Sequence, residues 1–245
     1  MHKWLIYHST LLFMSKPIAL ITGAAGNLGK AMAERFLAEG HEVIGTMLHA
    51  EPKQEIEDHE ACVRISVDLT DETSVQQMIA DIEAEGKEIG VGIFTVGGFA
   101  MGNLENTDHA ALSKMLTLNF YTAYNSARTL FLHMKQHGKG GRIMLTASRQ
   151  GLHPKMGGAT LAYTLSKSLI PALVDVLNAE GKKYNITATI LVPSIIDTPQ
   201  NREAMADADF SKWVTPEAIA EVVYFATTEK GSPLRETVLK VYGES

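Results

Sequence analysis

Short apolar runs alternate with amphipathic stretches along almost the whole chain. Residues 18–21, Ile18-Ala19-Leu20-Ile21, form an unbroken apolar run, the mark of a strand buried on both faces. Further strands are predicted at 42–47, 61–67, 91–96, 142–147, 187–192 and 237–242. Between them, apolar residues recur at helical spacing: over 30–37, ending at Gly40; from an Asp71-Glu72-Thr73 cap to about Gly86; from Asp108 to about His137; around Tyr163 and Lys167; and from Pro216 to about Thr228. Seven strands alternating with helices, with no internal repeat, predict an α/β fold built on one doubly wound, seven-stranded parallel sheet. The segment 193–214 breaks the rhythm. It is polar and punctuated by proline, and loops of that length commonly act as lids.

Composition narrows the picture. At 245 residues and 45% apolar content, the chain is long for one domain and short for two, and we expect a single domain over 15–245 preceded by a tail, 1–14. The tail has no unbroken apolar centre and no small-residue cleavage site, so it does not read as a signal peptide. No stretch is apolar enough to span a membrane. A net charge of -6 without a long basic run argues against nucleic acid or an anionic membrane as partner. The lone cysteine, Cys62, rules out an internal disulfide framework, fits a reducing cytoplasm, and is expected to pack inside a strand.

Candidate chemistry lies at the strand ends. After the first strand, Thr22-Gly23-Ala24-Ala25-Gly26-Asn27-Leu28-Gly29 opens directly into a helix. Strand, glycine loop and helix is an arrangement that cradles a dinucleotide pyrophosphate, because glycines admit the phosphate to the backbone and the helix N-terminus meets its charge. The second strand ends at Met47, followed by Leu48, His49 and Lys53, with neither the acid that selects NAD nor the arginine that selects NADP. Asp68 and Leu69, after the third strand, are placed to reach the adenosine, and Gly97-Gly98, after the fourth, suggest close approach of backbone to ligand. Asn119 is an amide in apolar surroundings, which calls for buried partners, and Ser148 closes the fifth strand. Tyr163 and Lys167 are four residues apart, hence one turn apart on one helix face. An ammonium beside a phenol favours its ionisation, so the pair can exchange a proton nearer neutral pH.

The glycine loop, Asp68, Asn119, Ser148, Tyr163-x-x-x-Lys167 and Pro193…Thr198-Pro199 occur in an order that resembles the short-chain dehydrogenase/reductase family from Pro17 onward. The resemblance implies a Rossmann-type fold and a cofactor, NAD or NADP, held by Gly23, Gly26, Asn27, Leu28, Gly29, Asp68, Leu69, Gly97, Gly98, Tyr163, Lys167, Pro193 and Thr198. It implies hydride transfer with Tyr163 as general acid or base, Lys167 lowering the phenol pKa and binding ribose, Ser148 polarising the substrate oxygen and Asn119 holding a water. It also implies pairing into a homodimer or homotetramer through the helices of Asn119 and Tyr163, and no metal. Three positions depart from the family pattern: Asn27 and Ser194 stand where glycine is usual, and Val96-Gly97-Gly98 replaces Asn-Ala-Gly. Residues 97–103 and 197–213 are similar to the dihydropteridine reductases within the family, which use NADH to reduce a quinonoid dihydropterin; Phe99 replaces a pocket tryptophan there, and Met47 an acid. The expected substrate is a small carbonyl or dihydropterin-like molecule, with Phe99, Met101 and Trp213 as candidate pocket walls. The alternatives are a 3-oxoacyl or hydroxysteroid type dehydrogenase, and a non-catalytic dinucleotide-binding regulatory protein.

Overall fold

Strands β1 (Ile18–Thr22), β2 (Val43–Met47), β3 (Cys62–Ser66), β4 (Ile89–Phe94), β5 (Gly141–Thr146), β6 (Ile186–Pro193) and β7 (Val238–Val241) form one sheet in the order β3-β2-β1-β4-β5-β6-β7. The structure is a computed structural model describing residues 16–48 and 59–245; the tail 1–14, His49 and Lys53 lie outside the described residues. Every pairing is parallel. Strand order runs outward from the β1–β4 pair, so a crevice opens beyond their carboxyl ends, where doubly wound sheets take their ligands.

The unbroken apolar runs follow from burial on both faces. Leu20 points into a layer with Ile44, Phe94, Leu145 and Ile190, covered by α2 (Glu72–Ala84), α4 (Thr122–His137) and α6 (Leu161–Gly181), whereas its neighbour Ile21 points the other way. There α1 (Asn27–Ala38) and α8 (Pro216–Thr227) pack Met32, Phe36, Ile219 and Val223 against Val91, Ile93 and Met144. As expected, Asp71 caps α2, accepting from the backbone N–H of Thr73 and Ser74.

Several boundaries differ from the pattern. Helix α1 begins at Asn27, so Leu28 and Gly29 belong to its first turn. Strand β4 runs Ile89–Phe94 rather than 91–96. Thr95 leaves the ladder, and its N–H and hydroxyl bond the Thr22 hydroxyl (3.2 Å) and carbonyl (2.7 Å), tying the ends of β1 and β4 together. Cys62 is half-buried rather than buried, because β3 is an edge strand. The stretch 108–137 is not one helix: α3 (His109–Leu116) and α4 are joined by a π-turn, Thr117–Tyr121, in which Thr122 N–H reaches back to Thr117 O. The segment 193–214 carries the short α7 (Pro199–Ala204) and a 3₁₀ turn, Phe210–Lys212, and is pinned across its base by Asp197 N–H to Val214 O (2.8 Å). No helix among the described residues is long and apolar enough to cross a membrane.

Two buried histidines set an acid limit. His41 Nδ1 bonds Pro17 O at 2.8 Å, and His133 takes the Ile89 N–H on Nε2 (2.9 Å) while Nδ1 bonds Glu83 (2.6 Å). Ligand atoms of Glu83, His133 and His137 lie within 4.8 Å of one another, yet both ring nitrogens of His133 are already engaged. Burial holds both imidazoles below their ordinary pKa, for His133 against the pull of Glu83. The unfolded chain therefore binds more protons than the folded one below about pH 6.5, and stability falls with pH from there. The melting temperature is expected to drop as buffer pH is lowered from about 7 to about 5, and His133→Gln is expected to flatten that slope while lowering the melting temperature at neutral pH. An unchanged slope in the variant contradicts the assignment.

Candidate active site

The end of β5 supplies one wall. Ser148 N-caps the four-residue α5 (Arg149–Leu152), its Oγ accepting the Gly151 N–H at 3.0 Å. A side chain on Gly151 would bring Cβ to 2.8 Å from the Lys167 carbonyl oxygen, so glycine is what lets α5 press against α6. That carbonyl faces Pro171, which has no N–H to offer it. Helix α6 supplies the second wall, with Tyr163 and Lys167 one turn apart.

The third element is the π-turn, which presents Asn119 fully buried. Its Oδ1 accepts the Gly98 N–H (2.7 Å), and its Nδ2 donates to Gly98 O (3.0 Å) and to Ser166 Oγ (2.9 Å). Ser166 in turn donates to the Tyr163 carbonyl at 2.8 Å. Asn119 thus clamps the loop after β4 to the turn of α6 that carries the phenol. Gly97 has to be glycine, since a Cβ would sit 2.6 Å from Asn119 Oδ1 and 3.1 Å from Lys167 Nζ.

Electrostatics differ in one respect from the expectation that Lys167 depresses the phenol. The Tyr163 phenol is pushed above its ordinary value by burial, with its hydrogen bond to Ser148 pulling the other way. The Lys167 ammonium is instead held on Thr146 O at 2.8 Å, and burial lowers it to about 8. What results is a phenol protonated at neutral pH, bonded to a hydroxyl, with an ammonium in the wall behind it that is still mostly charged at pH 7.

Two clefts flank this cluster. Gly23, Met47, Asp68 and Leu69 line one, together with Thr46, Val67, Val96 and Leu118. The Thr46 hydroxyl is buried there without a partner, and Asp68 is turned onto Thr70, accepting from its N–H (2.8 Å) and hydroxyl (2.7 Å). Asn27 and Thr198 line the other, with Lys30, Pro199, Arg202 and Thr215; Asn27 Nδ2 reaches Gln200 at 2.8 Å, and Thr198 N-caps α7. Between them Gly23 adopts φ +68, Gly26 N–H returns to Gly23 O (2.9 Å), and a Cβ on Gly29 would overlap that same carbonyl. A bare backbone cradle at a helix N-terminus, beside an apolar cleft with an orphaned hydroxyl, fits a dinucleotide. Leu28 and Pro193 line neither cleft; Leu28 packs against the core and Pro193 pairs with Val241.

Phe99 and Met101 are exposed beside the cluster, and the Phe99 ring meets Tyr163 edge-on at 5.0 Å between centroids. Trp213 is not a pocket wall: it is buried against Phe210, 4.8 Å away. Sequence reasoning overlooked Thr46, Thr146, Arg149 and Ser166. Ser166 lies inside the Tyr-x-x-x-Lys motif, a position that could have flagged it; the Thr146 contact runs through its backbone and leaves no mark in the sequence.

With the geometry in place, the comparisons are informative. The short chain dehydrogenase family model matches residues 17–209. At 26% identity the chain is similar to a dihydropteridine reductase of Dictyostelium discoideum over 231 residues, 93% of this chain and 94% of the relative. It is as similar, at 26%, to an NAD-dependent glycerol dehydrogenase of Listeria innocua over 230 residues, 88% of each. In fold it superposes on the ligand-free aldohexose dehydrogenase of Thermoplasma acidophilum with a TM-score of 0.82, at 22% identity over 94% of each chain.

Proposed function

The chain belongs to the short chain dehydrogenase family of oxidoreductases, and from that premise we propose that it transfers a hydride between NAD or NADP and a small carbonyl or dihydropterin-like compound, with Tyr163 as general acid and base. The observation that carries this reading is Tyr163 and Lys167 one turn apart on α6, on a turn that Asn119 and Ser166 clamp to the loop after β4. The glycine loop with Asn27, Leu28 and Gly29 would hold the pyrophosphate, Asp68 and Leu69 the adenosine, and Gly97, Gly98, Lys167, Pro193 and Thr198 the rest. When bound, the nicotinamide supplies the hydride for reduction or accepts it in oxidation.

Tyr163 gives its proton to the substrate oxygen in reduction and takes it back in oxidation. Ser148 Oγ already accepts the Gly151 N–H, so its own hydrogen remains for the substrate oxygen or the phenol. Lys167, with its pKa near 8, is suited to restore the phenol's proton. Asn119 positions the phenol through Ser166. Similarity to a dihydropteridine reductase supports the pterin branch of this reading.

Direction-dependent pH behaviour tests it. Reduction needs the protonated phenol, which is abundant at neutral pH, whereas oxidation needs the phenolate, which is scarce there. The kcat/KM for alcohol oxidation is expected to rise with pH between about 7 and about 9, by up to about tenfold per unit, while that for reduction stays level. A level oxidation profile contradicts the assignment of Tyr163 as base.

We further propose a homodimer or homotetramer paired through α4 and α6. Tyr121 at the end of the π-turn with Tyr124 and Leu132 of α4, and Leu165, Leu169 and Val176 of α6, are exposed at spacings that set each trio on one helix face. A monomer in light scattering at micromolar concentration contradicts this.

A further inference from the structure

We infer that the site selects an uncharged substrate whose aromatic or apolar body lies against Phe99, and discriminates against carbonyls bearing a carboxylate or phosphate. The inference rests on the function proposed above and narrows it. Residues 97–104 and 156–163, which border the phenol, contain no ionisable side chain besides Tyr163. They form one rim, because Gly102 N–H bonds Ala159 O and Leu161 N–H bonds Gly102 O, both at 2.8 Å. On that rim Phe99 is 60% exposed, Met101 71%, Leu104 82% and Met156 54%. Large apolar side chains held open together mark a binding surface, and methionines adapt to irregular apolar shapes. Phe99 stands edge-on to Tyr163, with centroids 5.0 Å apart at 66°. A ring whose carbonyl reaches the phenol lies within reach of the Phe99 ring, with which aromatic pairing is favourable.

Three cations of the neighbouring elements are already engaged by the protein. Lys167 is buried on Thr146 O. Arg149 donates to Ser194 Oγ (3.2 Å) and Ser245 O (2.9 Å), and lies 4.8 Å over the Tyr242 ring. Arg202 makes two bonds to Asp197, at 2.6 and 2.7 Å, and stacks 4.9 Å over Phe210. Lys155, exposed next to Met156, is the remaining cation of the rim. A substrate anion drawn against Phe99, Met101 and Leu104 loses hydration against apolar side chains, with Lys155 as the nearby charge at the border of the rim.

The test compares para-methylbenzaldehyde with para-carboxybenzaldehyde, using the full chain and NADH or NADPH. The neutral aldehyde is expected to have a kcat/KM at least about tenfold higher, mostly through KM, and Phe99→Ala to remove most of that advantage. Equal or better use of the carboxylate, or an advantage untouched by Phe99→Ala, overturns the inference; loss of a carboxylate preference in Lys155→Ala would identify the cation responsible. If neither aldehyde is reduced although dinucleotide binds, these two are not substrates, and the inference is decided by binding alone. A melting-temperature rise of the NAD-loaded protein with para-toluamide, absent with para-toluate and lost in Phe99→Ala, supports it. An equal or larger rise with para-toluate overturns it.

Discussion

Tyr163→Phe is expected to lower kcat by about 10²- to 10⁴-fold, the range over which a positioned acid or base acts. The phenyl ring can keep its contact with Phe99, and its backbone carbonyl keeps the Ser166 bond, because neither involves the hydroxyl. Dinucleotide affinity should therefore stay within about twofold, as the glycine cradle lies on a different element. Stability should change little with charge, because the Tyr163 phenol, held above its ordinary pKa, is neutral near pH 7 and phenylalanine carries no charge. Retained turnover in Tyr163→Phe would remove the phenol from the chemistry and contradict its assignment as general acid and base.

Gly29→Ala is expected to act on the other half of the site. The new Cβ overlaps the Gly23 carbonyl oxygen and comes within 3.0 Å of Ala24 Cα. Both are backbone, so no rotamer relieves the clash, and the turn closed by Gly26 N–H on Gly23 O has to open. We expect dinucleotide affinity to fall at least about tenfold and stability by about 1–3 kcal/mol. Gly158→Ala is the control, since a Cβ there meets nothing within 4 Å. Equal dinucleotide affinity of the two variants by calorimetry would show that the loop is not the phosphate cradle.

The sheet was legible in the sequence because a strand buried on both faces is largely apolar, as 18–21 is throughout and 190–192 is at the end of its strand. The Tyr163–Lys167 face was legible because helical spacing is fixed. The π-turn around Asn119 was not, since it changes which carbonyl each N–H meets while leaving side-chain periodicity nearly intact. Nor was the direction of the Tyr163 shift. Spacing places Lys167 beside the phenol, but the Thr146 carbonyl that draws the ammonium away comes from β5, at a separation no local pattern reports. Trp213 and Phe99 show the same limit from opposite sides. Each could be read as a pocket wall or as core or lid packing, and it is the packing of Phe210 that buries one while the rim leaves the other open.

The central claim, hydride transfer by this crevice, is tested most directly by mixing the purified protein with NADH and NADPH in parallel, in the presence of quinonoid dihydropterin and of neutral ketones and aldehydes. The account predicts consumption of one of the two dinucleotides, matched one for one by reduced product and absent in Tyr163→Phe. Tight binding of dinucleotide with no consumption for any of these acceptors would contradict it, and would leave the protein as a dinucleotide-binding regulator.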